Sequence, residues 1–191
     1  MNVLYTLATL LPLSLTSGIN LYMTVLVVGL SIRLGWVQNA PAGLEALASW
    51  PVLAIAGVFY VVQFLADKIP FVDNIWDTAH TFIRPIGAAM LAVAVIGEAR
   101  PELLVIGALI GGGIALASHG SKAGTRVALN VASPAENVSN VAVSLAEDVG
   151  VGVLAFLSVK YPLLAAGVAA AVLLLMILLA PRIIRWAWFT L

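Results

Sequence analysis

The chain has no cysteine, only two histidines, and equal numbers of acidic and basic residues, nine of each. The first absence excludes disulfides, thiolate metal sites and a cysteine nucleophile, and leaves the redox compartment unmarked. No run of Lys or Arg occurs and the formal net charge is zero. Neither the electrostatic footprint of nucleic-acid binding nor a polybasic lipid anchor is therefore present. The signatures HExxH, GxSxG, the Walker loop and GxGxxG before a helix are missing too, as is the paired aspartate motif of lipid phosphotransferases. No catalytic class follows from motif.

What is abundant is apolar. Hydrophobic residues make up 62% of the 191 positions and charged residues 9%, with a mean hydropathy of +1.10. Soluble domains carry charge at about a quarter of positions, so an all-α, polytopic integral membrane protein is expected. Stretches between apolar segments stay under about thirty residues, which suits one membrane domain over 1–191 and no soluble domain. The N-terminal stretch has no Lys or Arg before Arg33 and lacks the positive region of a secretory signal, so it reads as a retained membrane segment.

Crossing about 30 Å of hydrocarbon takes roughly 20 helical residues. Six segments meet or approach that length: 3–32, 51–66, 85–97, 102–118, 134–159 and 161–180. The first contains Pro12 and the pair Ser17 and Gly18, which predicts a kink or break there. The third is too short unless its helix begins in the polar run before it or sits in thinned bilayer. Ser133, Pro134 and Glu136 form a capping box that opens the fifth, whose first half is polar. In the fourth, Gly111, Gly112 and Gly113 permit close backbone approach. The sixth leads into Arg182, Arg185, Trp186 and Trp188, an interfacial anchor. Similar openings recur at Pro51, Pro101 and Pro162, the ordinary place for proline at a helix start.

If the segments alternate, one face holds Lys68, Arg84, Lys122, Arg126, Arg182 and Arg185, and the other Arg33, Arg100 and Lys160. The positive-inside rule then puts the first face, both polar runs and both termini in the cytoplasm.

Ionisable groups in or near a bilayer are costly, so their clustering marks function. The run 67–84 carries five of the eighteen charged residues, Asp67, Lys68, Asp73, Asp77 and Arg84, together with His80. On a continuous helix Asp73, Asp77, His80 and Arg84 fall in one row. Two carboxylates and an imidazole in such a row suit a divalent cation or a proton path, and the arginine suits a carboxylate or phosphate. The plainer use of the same residues is Asp73 as a helix cap and Asp77 paired with Arg84. A second run brings His119, Lys122, Arg126 and Asn130 into one row, and a third brings Asn137, Asn140, Ser144 and then Glu147 or Asp148. The two acids lie deep in a helix that must enter the membrane, so at least one faces the interior or a wet cavity, with Arg126 or Arg84 as partner. Asn20 and Thr24, one turn apart beyond the expected break, would face the same cavity.

The stretches SGINLYMTVLVVGL and ADKIPFVDNIWDTAHTFIRPIGA resemble an uncharacterised bacterial family of small integral membrane proteins known only as a domain of unknown function. The resemblance is densest at Asp67, Lys68, Pro70, Asp73, Trp76, Asp77, Thr81, Arg84 and Pro85. It implies a bacterial inner membrane and supplies no activity, substrate or cofactor.

Three functions fit these residues. The first is a transporter or channel, in which half-polar helices converge on a cavity for an ion or small polar solute. The second is a membrane enzyme or lipid-handling protein, with a divalent cation on Asp73, Asp77 and His80 and a lipid phosphate on Arg84, His119, Lys122 and Arg126. The third is a scaffold whose polar helices dock a partner. A bundle this small is expected to form a homo-oligomer in the bilayer.

Overall fold

The computed structural model describes residues 3–132 and 137–190, apart from the side chains of 70, 71, 73, 74, 127–132, 137–140, 180 and 182–190. Six α-helices run through them: α1 (Val3–Arg33), α2 (Trp50–Ala66), α3 (Pro70–Ile96), α4 (Pro101–Ala132), α5 (Asn137–Lys160) and α6 (Pro162–Thr190), with a short 3-10 helix at Ala42–Ala48. Among the described residues there is no strand. Five helices are long and apolar enough to cross a membrane, and the 3-10 helix with α2, bent by 67°, makes a sixth candidate.

Proline starts these helices where expected, at the head of α4 and α6 and near the head of α2. The shortfall of the third segment is resolved by its start. The helix begins at Pro70 and passes through Pro85, so the polar run forms its first half. Likewise α4 does not stop near 118 but continues through the second polar run to Ala132. The capping box at 133–136 lies outside the described residues, as do the side chains of the sixth segment's anchor. Gly97, at φ +69°, ends α3 in a conformation other residues rarely adopt.

The first helix departs most from expectation. Its break falls at Asn20 (φ −149°, ψ 94°), not at Ser17 and Gly18. Neighbours on either side of the break reveal a reversal of direction. Along the first arm, Leu10, Ser14 and Gly18 lie beside Gly107, Gly111 and Ala115 in ascending order, so this arm runs parallel to α4. Along the second, Asn20 meets Asp148, Met23 lies beside Gly152 and Trp36 meets Phe156 in ascending order, just as Leu21 lies beside Gly87 and Gly43 beside Ala94, so this arm runs with α3 and α5. Since α3 and α4 are antiparallel, with Gly112 on Pro85, Gly111 on Ala88 and Gly107 on Ile96, α1 is a V. Its apex meets the middle of α3, α4 and α5.

Both arms open toward the end of the bundle where Arg33 donates to the Ala48 carbonyl at 2.9 Å and Lys160 to that of Trp36 at 2.6 Å. Strict alternation, with both termini on one face, therefore fails at its first step. Val3 stands at the Arg33 end and α6 finishes at the Asp67 end.

Burial is inverted relative to a soluble protein. Phe82, Leu109, Ile177 and Met90 point outward, while Arg84, His80, Gln63 and Thr24 are buried. That pattern matches helices whose solvent is lipid and whose polar groups satisfy one another inside.

Candidate functional site

The site grows from the apex of the V. A helix break strands carbonyls on the first arm and amides on the second, the negative and positive ends of two short dipoles. On the first arm, Arg84 Nη1 donates to the Gly18 carbonyl at 3.3 Å and Lys122 Nζ to that of Ile19 at 3.5 Å. On the second, Asn20 acts as a cap: its Oδ1 accepts from the Met23 amide at 3.0 Å. Its Nδ2 donates to Asp148 Oδ1 at 2.8 Å, which sets a carboxylate at the positive end. Gly18 is required where it is, because any Cβ there would strike Ser118 Oγ and the Ala115 backbone. Ser118 Oγ donates to the Leu15 carbonyl across the same seam at 3.0 Å.

Around this apex lie three charged groups. In the first, Arg84 joins α1, α3 and α4, with Nη2 at 3.2 Å from Asp77 Oδ1 and Nη1 at 2.6 Å from His119 Nδ1. A guanidinium only donates, so His119 Nδ1 is the acceptor and its proton sits on Nε2, which faces the Asp77 carbonyl and the Thr81 hydroxyl. In the second, Lys122 and Arg126 bind Glu147 at 3.6 and 2.9 Å, and Lys122 binds Asp67 Oδ2 at 3.3 Å, with Ser144 Oγ on the same oxygen at 3.4 Å. The third is Asp148 with Asn20 and, at 3.5 Å, the Tyr60 hydroxyl.

His80 occupies a separate niche. Its Nδ1–H donates to the Trp76 carbonyl at 2.7 Å, and its Nε2 meets the Tyr22 hydroxyl at 3.0 Å. The ring stacks on Trp76, 4.5 Å between centroids.

Of the residues singled out from sequence, Asn20, Asp67, Asp77, His80, Arg84, His119, Arg126, Glu147 and Asp148 come together here. The side chains of Asp73, Asn130, Asn137 and Asn140 lie outside the described residues. Of the metal reading on Asp73, Asp77 and His80, the Asp73 side chain lies outside the described residues, while Asp77 pairs with Arg84 and the two ring nitrogens of His80 meet the Trp76 carbonyl and Tyr22. Sequence reasoning passed over Tyr60, Gln63 and Ser118. Gln63 had a signal, being the one amide side chain in the apolar stretch 51–66.

Two cavities flank the network. One of about 490 Å³ lies between α4 and α6, with Ser121, Lys122, Thr125 and Glu147 at its polar end and Leu175 and Met176 along its wall. The other, about 430 Å³, lies between α5 and α6 and shares Ile19, Glu147 and Val172 with the first.

No curated protein and no solved structure shows significant similarity to this chain. Residues 7–182 match one family along nearly their whole length, and the chain belongs to it: the family described as a domain of unknown function, DUF4126.

Proposed function

We propose that this chain is a small membrane transporter or channel that moves an ion or small polar solute through its buried polar core. The observation that carries the reading is the break of α1 at Asn20, mid-way along the bundle, where charged groups from the end of α2 (Asp67) and from α3, α4 and α5 converge. Buried ionisable groups cost too much in a membrane bundle to serve packing alone. Interrupted helices whose dipole ends face charge at mid-membrane are what secondary transporters use to bind and release polar cargo. In this reading the Asp67 end, with Lys68, Lys122 and Arg126, faces the cytoplasm of a bacterial inner membrane. Glu147, which borders both cavities and pairs with Arg126, is the residue through which the core meets its surroundings.

The test is flux into liposomes holding purified protein, with alkali cations, protons, halides and small neutral solutes offered in turn. Flux above that of empty liposomes, abolished in Arg84→Met, is the expected result. Absence of flux for every species offered overturns the reading.

A second reading has its own observation. The cavity between α4 and α6 pairs a charged floor with an aliphatic wall, a shape that fits an amphiphile entering from the bilayer. A lipid retained through purification and displaced by Leu175→Trp favours it over transport of small solutes.

A further inference from the structure

Asp148 differs from the other carboxylates of the network. Asp67, Asp77 and Glu147 each lie within ion-pairing distance of Lys122, Arg84 or Arg126. Asp148 is 6% exposed and, among the described residues, forms no ion pair; its partners are the Asn20 amide and the Tyr60 hydroxyl. Lys122 and Lys68 act on it only from longer range, and Asp67 opposes them. Of the three buried carboxylates among the described residues, Asp67, Asp77 and Asp148, the first two are paired with cations and Asp148 is left without one. A carboxylate so enclosed calls for a positive guest.

The second observation lies on α2. Gln63 is fully buried, and among the described residues neither its Oε1 nor its Nε2 has a hydrogen-bond partner. It stands three residues after Tyr60 and four before Asp67, so all three share one face of α2. Asp67 Oδ1, at the helix's C-cap, is likewise without a hydrogen bond among the described residues. A buried amide left unmet at both ends is expensive, and such groups are retained where something else satisfies them.

We propose that Asp148, Tyr60 and Gln63 form a binding site for a monovalent cation beside the apex of α1, with Asn20 holding the carboxylate in place. The ion's role as cargo or coupling ion rests on the transport reading; its binding does not. Oxygens at adjacent corners around a cation bound at about 2.4 Å stand about 3.4 Å apart, and the Tyr60 hydroxyl and Asp148 Oδ2 are 3.5 Å apart. Gln63 Oε1 adds a neutral oxygen from the same helix face. One free carboxylate among neutral oxygens matches a single positive charge, whereas calcium and magnesium sites draw on more carboxylate or retained water.

Purified protein in detergent is titrated with NaCl, KCl or LiCl against choline chloride at constant ionic strength, following thermal unfolding and heat of binding. At least one alkali cation is expected to stabilise the parent with saturation. In Asp148→Asn and Gln63→Leu the apparent affinity falls by about tenfold or more. Glu102→Gln, exposed at the far end of α4, keeps the parent's response. Should Asp148→Asn fail to fold, Tyr60→Phe, which removes one ligand oxygen and no charge, provides the comparison. Stabilisation that depends on pH alone assigns the guest as a proton and overturns the proposal. So does an equal alkali-cation response in parent and variants. Binding without any flux in liposomes leaves this site standing and removes the transport reading instead.

Discussion

Arg84 Nη1 lies 2.6 Å from His119 Nδ1, and this contact fixes both the charge and the tautomer of a histidine deep in the bundle. The same guanidinium reaches Asp77 and the broken end of α1, so one side chain holds three helices together. Removing it leaves a buried carboxylate without its cation. Arg84→Met should therefore cost roughly 3–5 kcal/mol, read as a shift in denaturant-induced unfolding in mixed micelles. Arg84→Met with Asp77→Asn should recover part of that loss, and a double variant no more stable than the single one would show that the pair contributes nothing.

The contact of Gly18 with α4 predicts a sharp contrast between two glycines. Gly18→Ala drives a methyl into the Ala115 backbone and should cost about 1–3 kcal/mol as the seam opens. Gly113→Ala meets open space on an exposed face of α4 and should be neutral or stabilising by up to about 1 kcal/mol. Unfolding temperatures measured side by side decide the matter.

Asn20 both caps an arm and holds Asp148, and these roles separate by substitution. Asn20→Ala loses both and should cost about 1–3 kcal/mol. Asn20→Asp keeps an oxygen for the Met23 amide yet sets carboxylate against carboxylate, and should be the less stable of the two at neutral pH. An aspartate variant as stable as the parent would contradict an ionised Asp148.

Much of the helical frame was legible in the sequence, because a helix that crosses lipid must be apolar for a length that lipid dictates. The inward row of Asp77, His80 and Arg84 followed from helical spacing, and the pairing of Asp77 with Arg84 was among its readings, whereas which of Glu147 and Asp148 would meet Arg126 or Arg84 stayed open. The site of the break was not legible. Ser17 and Gly18 are the better helix breakers by propensity, yet Gly18 is needed for close approach to α4, and Asn20 breaks the helix because its amide gains Asp148, 128 positions later. Tyr60 and Gln63 escaped notice for the same reason: an isolated polar residue on an apolar helix acquires meaning only from what faces it.

The V shape has a directly measurable signature. Because the chain lacks cysteine, single-cysteine variants label without background. Leu4→Cys and Leu34→Cys should react with a membrane-impermeant maleimide from one side, and Ile69→Cys from the other. A straight α1 would instead place residue 4 with residue 69, and that pairing would dismiss the V.

The V also has a consequence for how the protein is made. Its arms emerge from the ribosome before α3, α4 and α5, and an apex bearing Asn20 and reaching only part-way along the bundle lacks those partners until they follow. A segment synthesised ahead of its partners is therefore among the last to settle, and a nascent chain arrested after α2 should be a preferred target of membrane quality-control proteases.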